Sequence, residues 1–364
     1  MDLMPGLRCL LRIVPFVLLT VAAIDARADQ QQVVVSSWGG SIQDAQRKAI
    51  FIPFEKETGI KVVEATQPMA SKIIAMEASN NIEFDVAQVV PVDFLVLKNQ
   101  NLLEKIDYSM IDQKTVLDGL TPAGKDPYGV AAMIYSRVIA WSTKAFPPGT
   151  PHPESYADVW NVKRFPGKRV FDAGDAAFPP IEYALLADGV SADHLYPLDF
   201  KRAYQSLSKI QPAVAKWAQG AAVGPQALVD GEASVAVVSQ MRIAQMKDEG
   251  APVDYTFNEG LLKGDYWVIP KGAHNYRNAM KFIAFASRPD VWAAFVKLVP
   301  ASPPNKFAFQ YIDAQRAKEL PTAPQNLAQQ IWVNDAWWST IDPATKKSWR
   351  AQNVVEWNKW QLTQ

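Results

Sequence analysis

Short apolar segments alternate with amphipathic helical segments along the chain, and this order restricts the fold more than any other feature. The segments 32–36, 60–65 and 84–90 have the composition of strands, and helical periodicity covers 41–58 and 71–79 between them. A βαβαβ order makes parallel strands with helices on both faces of a sheet. The first part of the chain is therefore predicted to be an open α/β unit.

A second α/β unit is predicted further along the chain, where strand-like and helical segments alternate again from residue 169. It includes a helical region at 198–217, which Pro212 is expected to interrupt. The β-type run at 129–143 is longer than a strand within one compact sheet needs. We expect it to cross from one unit to the other, and a strand-like segment at 266–270 to cross back.

The first 28 residues have the pattern of a cleaved secretory signal. Arg8 and Arg12 precede an apolar stretch at 13–24, and the triplet Ala-Arg-Ala at 26–28 fits a cleavage site. Twelve helical residues span about 18 Å, which is less than the bilayer core of about 30 Å. We expect cleavage after residue 28 and a periplasmic mature protein, and a short membrane anchor is the alternative.

Size, charge and cysteine content exclude several classes of protein. The length of 364 residues exceeds that of a typical single core, so two domains are expected. The chain carries 37 basic and 37 acidic residues, whereas a nucleic-acid-binding surface normally needs an excess of Lys and Arg. The single cysteine, Cys9, lies in the predicted signal, which excludes disulfides and thiol chemistry in the mature chain.

Several phrases of sequence, in this order, resemble the solute-binding proteins of the polyamine, opine and γ-aminobutyrate branch of ABC importers. They are VVVSSWGG at 33–40, FEKETGIKV at 54–62, FPGKR at 165–169, ALLADGV at 184–190, YPLD at 196–199, DGE at 230–232 and YWVIPKG at 266–272. Their spacing covers nearly the whole mature chain. The resemblance implies a type II periplasmic binding fold, in which a hinge joins two open α/β lobes around a central ligand cleft.

The resemblance also implies lobe boundaries, a function and partners. The N-terminal lobe is expected to contain 29–138 and 267–312, and the C-terminal lobe 139–266 and 313–364. Hinge closure would capture a small amine-bearing solute, either a γ-aminobutyrate-like zwitterion or, as the alternative, a polyamine such as putrescine or spermidine. The expected partners are an ABC permease and its ATPase at the inner membrane. A monomer without a cofactor is expected.

Trp38, Gly39 and Gly40 come where the first strand ends and the first helix begins. Glycines let the backbone approach a ligand closely, and a helix N-terminus offers free N–H donors. The indole of Trp38 is a candidate wall for a cationic amine, a contact worth about 0.5–2 kcal/mol. A turn with a buried tryptophan is the alternative.

Asp265 and Tyr266 lie at the predicted return crossing. In the resembling polyamine binders an acidic residue near this crossing holds an amine, so Asp265 is the candidate for that contact. A turn-forming Asp after Gly264 is the alternative. Tyr266 and Trp267 alternate along a strand, so only one of them faces the cleft, and Tyr266 is the candidate.

Three further candidates have structural alternatives. Trp217 is a candidate aromatic wall or a core residue, and Asp172, together with Asp175, lies near the second acidic pair of polyamine binders. Relatives that bind γ-aminobutyrate tend to carry Trp-Asn-Gly-Arg where this chain has Ser239-Gln240-Met241-Arg242. There the planar Arg242 would clamp a carboxylate, and an exposed surface arginine is the alternative.

Catalysis has little support in the sequence. The chain lacks the G-x-S-x-G elbow and the G-x-x-x-x-G-K-[ST] phosphate loop. His152, His194 and His274 lack metal-ligand spacing, and the chain has no Tyr-Tyr pair of the kind expected in a metal-binding relative of this fold. No enzyme activity and no metal site are therefore expected. A secreted hydrolase that uses scattered carboxylates is the alternative from another class.

Overall fold

One mixed β-sheet runs through the computed structural model, which describes residues 31–121 and 124–363. Its ten strands within these residues are β1 Gln32–Ser37, β2 Lys61–Thr66, β3 Val86–Val89, β4 Lys125–Asp126, β5 Gly129–Ser142, β6 Arg169–Asp172, β7 Val214–Ala218, β8 Val235–Ser239, β9 Val253–Val268 and β10 Ile331–Trp332. The order across the sheet is β2-β1-β3-β9-β5-β8-β6-β7, with β4 beside β5 and β10 beside β9. The predicted signal segment lies outside the described residues.

The helices cover both faces of the sheet. They are α1 Gly40–Gln46, α2 Ile52–Thr58, α3 Ala70–Ala78, α4 Pro91–Asn99, α5 Tyr156–Trp160, α6 Ile181–Ala187, α7 Phe200–Ile210, α8 Val223–Asp230, α9 Gln240–Asp248, α10 Tyr276–Ala286, α11 Pro289–Val296, α12 Ala314–Lys318, α13 Pro324–Leu327, α14 Asp335–Ser339 and α15 Trp349–Gln361. A π-helical segment, Arg47–Phe51, joins α1 to α2. None of the helices in the described ranges combines the length and apolar composition needed to cross a membrane.

The strands β5 and β9 form a long antiparallel ribbon at the centre of the sheet. They contain 14 and 16 residues and pair from Val130 opposite Trp267 to Ser142 opposite Val253. At one end β9 pairs with β3, and at the other β5 pairs with β8. The predicted run at 129–143 is thus one strand, whereas the predicted strand at 266–270 is the end of a much longer one.

The apolar packing changes along this ribbon. The segment of β5 up to Met133 packs with the core formed by α1, α2, α10 and α11. From Val138 onward, alternate residues of β5 belong to two other cores, with Ile139 in one and Val138 in the other. This change of partners supports a lobe boundary near 138/139, which stays a prediction. The first core also includes Leu320, beyond the predicted boundary at 312.

The predicted helical region at 198–217 is wrong in its last part. Helix α7 ends at Ile210, and Pro212 follows in a short 3-10 turn, Gln211–Ala213. Proline cannot donate the backbone hydrogen bond that would continue the helix. The next residues form β7, which pairs in parallel with β6. Trp217 is therefore a strand residue.

Candidate functional site

The carboxyl end of β1 leads into the turn predicted to contact a ligand. Gly39 and Gly40 have φ angles of 73° and 54°, in the left-handed region that favours glycine. The N–H of Gly39 donates to Oε1 of Gln43 at 3.0 Å, which fixes the turn. Trp38 remains 36% exposed, yet its indole Nε1 donates to Oδ2 of Asp265 at 2.9 Å. Two of the predicted site residues, 227 positions apart in the chain, are thus in direct contact.

Asp265 lies on β9 and is only 2% exposed. Its Oδ2 accepts a second hydrogen bond, from Nε2 of Gln88 at 3.0 Å, while Oδ1 has no hydrogen-bond partner among the described residues. Burial raises the pKa of Asp265 to about 7, against the opposing effect of the nearby polar groups of Tyr135, Trp38 and Gln88. The carboxyl is therefore held in place through Oδ2, while Oδ1 is buried without a hydrogen bond.

Strand geometry places three further polar side chains on the same face of the ribbon as Asp265. Lys263 is two residues away on β9, and alternate residues of a strand share a face. Tyr135 of β5 pairs directly with Lys263, and Arg137 follows Tyr135 by two positions. Polar residues at i and i+2 thus line one face of both central strands, within otherwise apolar sequence.

Two buried ion pairs surround an aromatic ring on this face. Nε of Arg137 lies 2.6 Å from Oδ2 of Asp172, and Nζ of Lys263 lies 2.9 Å from Oδ1 of Asp335. Phe178, from the loop after β6, lies between the two cations, whose charged groups are 4.8 and 4.7 Å from its ring centre. The predicted ligand contact Asp172 is thus occupied by Arg137. Asp172 and Asp335 are each paired with a cation, whereas Asp265 forms no ion pair with any described residue.

A cavity of about 410 Å³ opens beside Lys263. Its walls are formed by α4, by the adjoining part of the ribbon and by the segment 332–336, which contains Asp335. Tyr266 lines this cavity and stacks on Phe94, with ring centres 4.4 Å apart. Because successive strand residues point to opposite faces, Tyr266 and Asp265 lie on opposite faces of β9. A cavity of this size accommodates a small solute with several carbon atoms.

Two predicted residues have other surroundings. Trp217 packs on the rings of Phe171, Trp357 and Trp360 at 5.1–5.5 Å, as core aromatic residues do. Arg242 is exposed in the first turn of α9, and its guanidinium makes no hydrogen bond or ion pair with any described residue. Direct ligand contacts of both residues stay predictions.

The sequence reasoning did not select Arg137, Phe178, Lys263 or Asp335. The sequence does contain a signal for Lys263 and Arg137. Each is a charged residue within a long apolar strand, and such a residue needs a partner when it is buried. Phe178 and Asp335 belong to distant segments and gave no such signal. No group of three or more His, Cys, Asp or Glu side chains in residues 31–121 and 124–363 is placed to hold a metal ion.

Sequence comparison gives a family match and two informative relatives. Residues 49–322 match the model of a family described as bacterial extracellular solute-binding protein. A γ-aminobutyric acid-binding protein of Pseudomonas aeruginosa is 34% identical over 324 residues, which are 87% of this chain and 89% of that protein. A spermidine/putrescine-binding periplasmic protein of Salmonella typhimurium is 26% identical over 293 residues, 78% of this chain and 82% of that protein.

Solved structures have the same architecture. A substrate-binding protein of an ABC transporter from Bradyrhizobium japonicum superposes with a TM-score of 0.82 at 34% identity, covering 90% of this chain and 99% of that one. A GABA receptor superposes with a TM-score of 0.80 at 33% identity, covering 91% and 97% of the two chains. The predicted fold class, a two-lobed periplasmic binding fold, is confirmed.

Proposed function

We propose, from the premise that this chain belongs to the bacterial extracellular solute-binding protein family, that it captures a small amine-bearing solute for an ABC importer. The favoured solute is γ-aminobutyrate or a similar ω-amino acid, held between two lobes that close about the β5–β9 ribbon. The function is one of binding and delivery, not of turnover.

The observation that carries the amine assignment is the state of Asp265. Its carboxyl is buried and fixed by Trp38 and Gln88, and its Oδ1 has no partner among the described residues. A buried carboxylate is costly unless a cation or hydrogen-bond donors compensate it. An ammonium group at Oδ1 would supply a charge-assisted hydrogen bond, about twice as strong as a neutral one. The exposed part of the Trp38 indole offers an additional cation–π surface.

A zwitterion is favoured over a polyamine on two grounds. The γ-aminobutyric acid-binding relative is more similar to this chain, at 34% identity, than the spermidine/putrescine-binding relative at 26%. Two cations, Arg137 and Lys263, also lie on the same face of the ribbon as Asp265, within a few positions of it along the paired strands. Both cations are paired with carboxylates, but an acid group of the solute could accept a hydrogen bond from either of them, whereas a second ammonium could not. Polyamine binding is the alternative.

The cellular setting is part of the proposal. The curated relatives include periplasmic binding proteins, and the pattern of residues 1–28 predicts export by a cleaved signal. We therefore propose a periplasmic monomer that delivers its solute to an ABC permease and ATPase at the inner membrane. The equal numbers of basic and acidic residues, 37 of each, give no support for a nucleic-acid partner.

Thermal unfolding with a panel of solutes tests the proposal. Mature protein should be stabilised by γ-aminobutyrate, because a ligand that binds only the folded state at 100 times its Kd adds about 2.7 kcal/mol. Butyrate, which has the same carbon chain without the amine, is the control and should give no shift. The solute should be recovered chemically unchanged. If neither γ-aminobutyrate, other ω-amino acids nor polyamines raise the melting temperature, the proposed function is wrong.

A further inference from the structure

A chain of buried hydrogen bonds leads from the end of β1 to Asp265. The hydroxyl of Ser37 donates to Oε1 of Gln46 at 2.5 Å, and Nε2 of Gln46 donates to Oε1 of Gln88 at 2.6 Å. Nε2 of Gln88 then donates to Oδ2 of Asp265 at 3.0 Å. None of these four residues is more than 3% exposed. A hydrogen bond that is lost from this chain is therefore not replaced by one from bulk water.

The sheet brings these side chains together although they are distant in sequence. β1 pairs with β3, and Ser37 and Gln88 directly follow the paired residues Ser36 and Ala87. β3 pairs in turn with β9, the strand that carries the carboxyl. Gln46 is the last residue of α1, directly before the π-helical segment. One helix end and three neighbouring strands thus fix the chain.

The chemistry of the groups determines the direction of each hydrogen bond. An ionised carboxylate can only accept, so the NH2 group of Gln88 must face Asp265. The oxygen of Gln88 then faces Gln46, whose NH2 group donates to it, and the oxygen of Gln46 accepts from Ser37. Every donor in the chain therefore points towards the carboxylate.

A reversed amide at Gln88 would have the opposite effect on the carboxyl. Its oxygen would lie against Oδ2 of Asp265, and two acceptors in contact repel each other unless one of them carries a proton. A protonated Asp265 has no charge to pair with an ammonium group. The donor of Gln46 opposes this reversal, because the oxygen of Gln88 would lose its hydrogen bond.

We propose that Ser37 and Gln46 are positioning residues of the amine site, because they hold the NH2 group of Gln88 towards Asp265 and so keep the carboxyl ionised for an ammonium group. This inference rests on the proposed function, since it explains how the same site stays receptive to its solute. Ser37 and Gln46 are themselves buried, and both act through Gln88.

Calorimetric titration of γ-aminobutyrate at pH 7 and pH 9 tests this role. Ser37→Ala combined with Gln46→Met removes both donors beside the oxygen of Gln88, since Oγ of Ser37 also lies 3.3 Å from it. Loss of one hydrogen bond to a carboxylate raises its pKa by about one unit, so affinity at pH 7 should fall about fivefold. At pH 9 the solute amine is still charged and the carboxyl is ionised in both proteins. Affinity should then differ from wild type by less than about twofold.

Gln88→Met is the second variant, because it removes the same hydrogen bond to Asp265 without changing β1 or α1. It should show the same loss at pH 7 and the same recovery at pH 9. Combining it with Ser37→Ala and Gln46→Met should weaken binding no further, since residues that act through one another are not additive. Asn278→Leu, which replaces a buried amide of α10, is the control and should stay within about twofold of wild type at both pH values.

The titratable groups around Asp265 are unchanged in these variants. Tyr135 of β5 and Asp335 of α14 influence its charge, and Lys263 lies two positions away on β9. A change in the pH profile of binding is therefore due to the hydrogen-bond chain. Circular dichroism shows whether each variant folds, and either Gln88→Met or the Ser37→Ala, Gln46→Met variant is sufficient for the test.

The outcomes separate this inference from the proposed function. Wild-type affinity in the Ser37→Ala, Gln46→Met variant at pH 7, or an equal loss at pH 7 and pH 9, would overturn the inference while the amine-binding function stands. A further loss when Gln88→Met is added would overturn it as well. If wild-type protein binds no amine-bearing solute, the proposed function itself fails.

Discussion

Asp265→Asn should weaken binding of γ-aminobutyrate by roughly 30-fold or more. The substitution keeps the shape of the side chain and an oxygen that can accept from Trp38 and Gln88, but it removes the charge that compensates the ammonium. Truncating one partner of a buried charge pair typically costs about 2–5 kcal/mol of binding free energy. Calorimetric titration measures the change directly. Asp254→Asn, in an exposed ion pair on the same strand, is the matched control and should change affinity by less than about twofold.

The pH dependence of binding provides a second readout for Asp265. Because burial raises its pKa to about 7, the free protein holds the carboxyl protonated below that pH, and the ammonium requires the carboxylate. Affinity should therefore fall as the pH falls below 7, by up to about tenfold per pH unit, and Asp265→Asn should abolish this slope. For stability the sign is opposite, since a folded-state pKa above the usual 3.8 means that protonation below pH 7 stabilises the ligand-free fold. Unchanged affinity in Asp265→Asn would contradict the amine assignment.

Arg137→Met should lower the free energy of unfolding by about 3–5 kcal/mol, because it leaves Asp172 buried without its cation. The side chains of this pair are only 9% and 6% exposed. Urea unfolding followed by circular dichroism measures the loss. The double variant Arg137→Met with Asp172→Asn should recover most of it, since two neutral groups need no charge compensation.

An exposed ion pair gives the contrast for this prediction. Lys72 and Glu83 are 2.7 Å apart, close to the 2.6 Å of Arg137 and Asp172, but their side chains are 40% and 45% exposed. Lys72→Met should change stability by no more than about 1 kcal/mol, because water replaces the lost partner. If Arg137→Met is as mild as Lys72→Met, the Arg137–Asp172 pair is not the buried electrostatic contact described here.

Much of the fold was predictable because hydrophobic periodicity is local. The segments at 32–36 and 60–65 became β1 and β2, and the long run at 129–143 became β5. The errors occurred where tertiary pairing determined the structure. Residues 214–218 form a strand because β6 offers a pairing edge, and β9 extends over 16 residues because β5 lies along it. The resemblance to solute-binding proteins, drawn from short phrases, is confirmed by the family match.

The candidate site was only partly predictable. Trp38 and Asp265 were identified because one follows a strand end and the other precedes a familiar phrase, and a hydrogen bond joins them. Lys263, Phe178 and Asp335 were missed because their contacts join three segments that are distant in the chain. The sequence predicts a buried charge only when the residue that compensates it can be identified. The partner of Lys263 lies 72 residues away in sequence.

A crystal structure of the complex with γ-aminobutyrate tests the central claim most directly. The account predicts one solute molecule whose nitrogen lies within about 3.2 Å of a carboxylate oxygen of Asp265, at ordinary hydrogen-bond distance. A bound solute whose amine is remote from Asp265, or whose site lies away from the β5–β9 ribbon, would contradict the account.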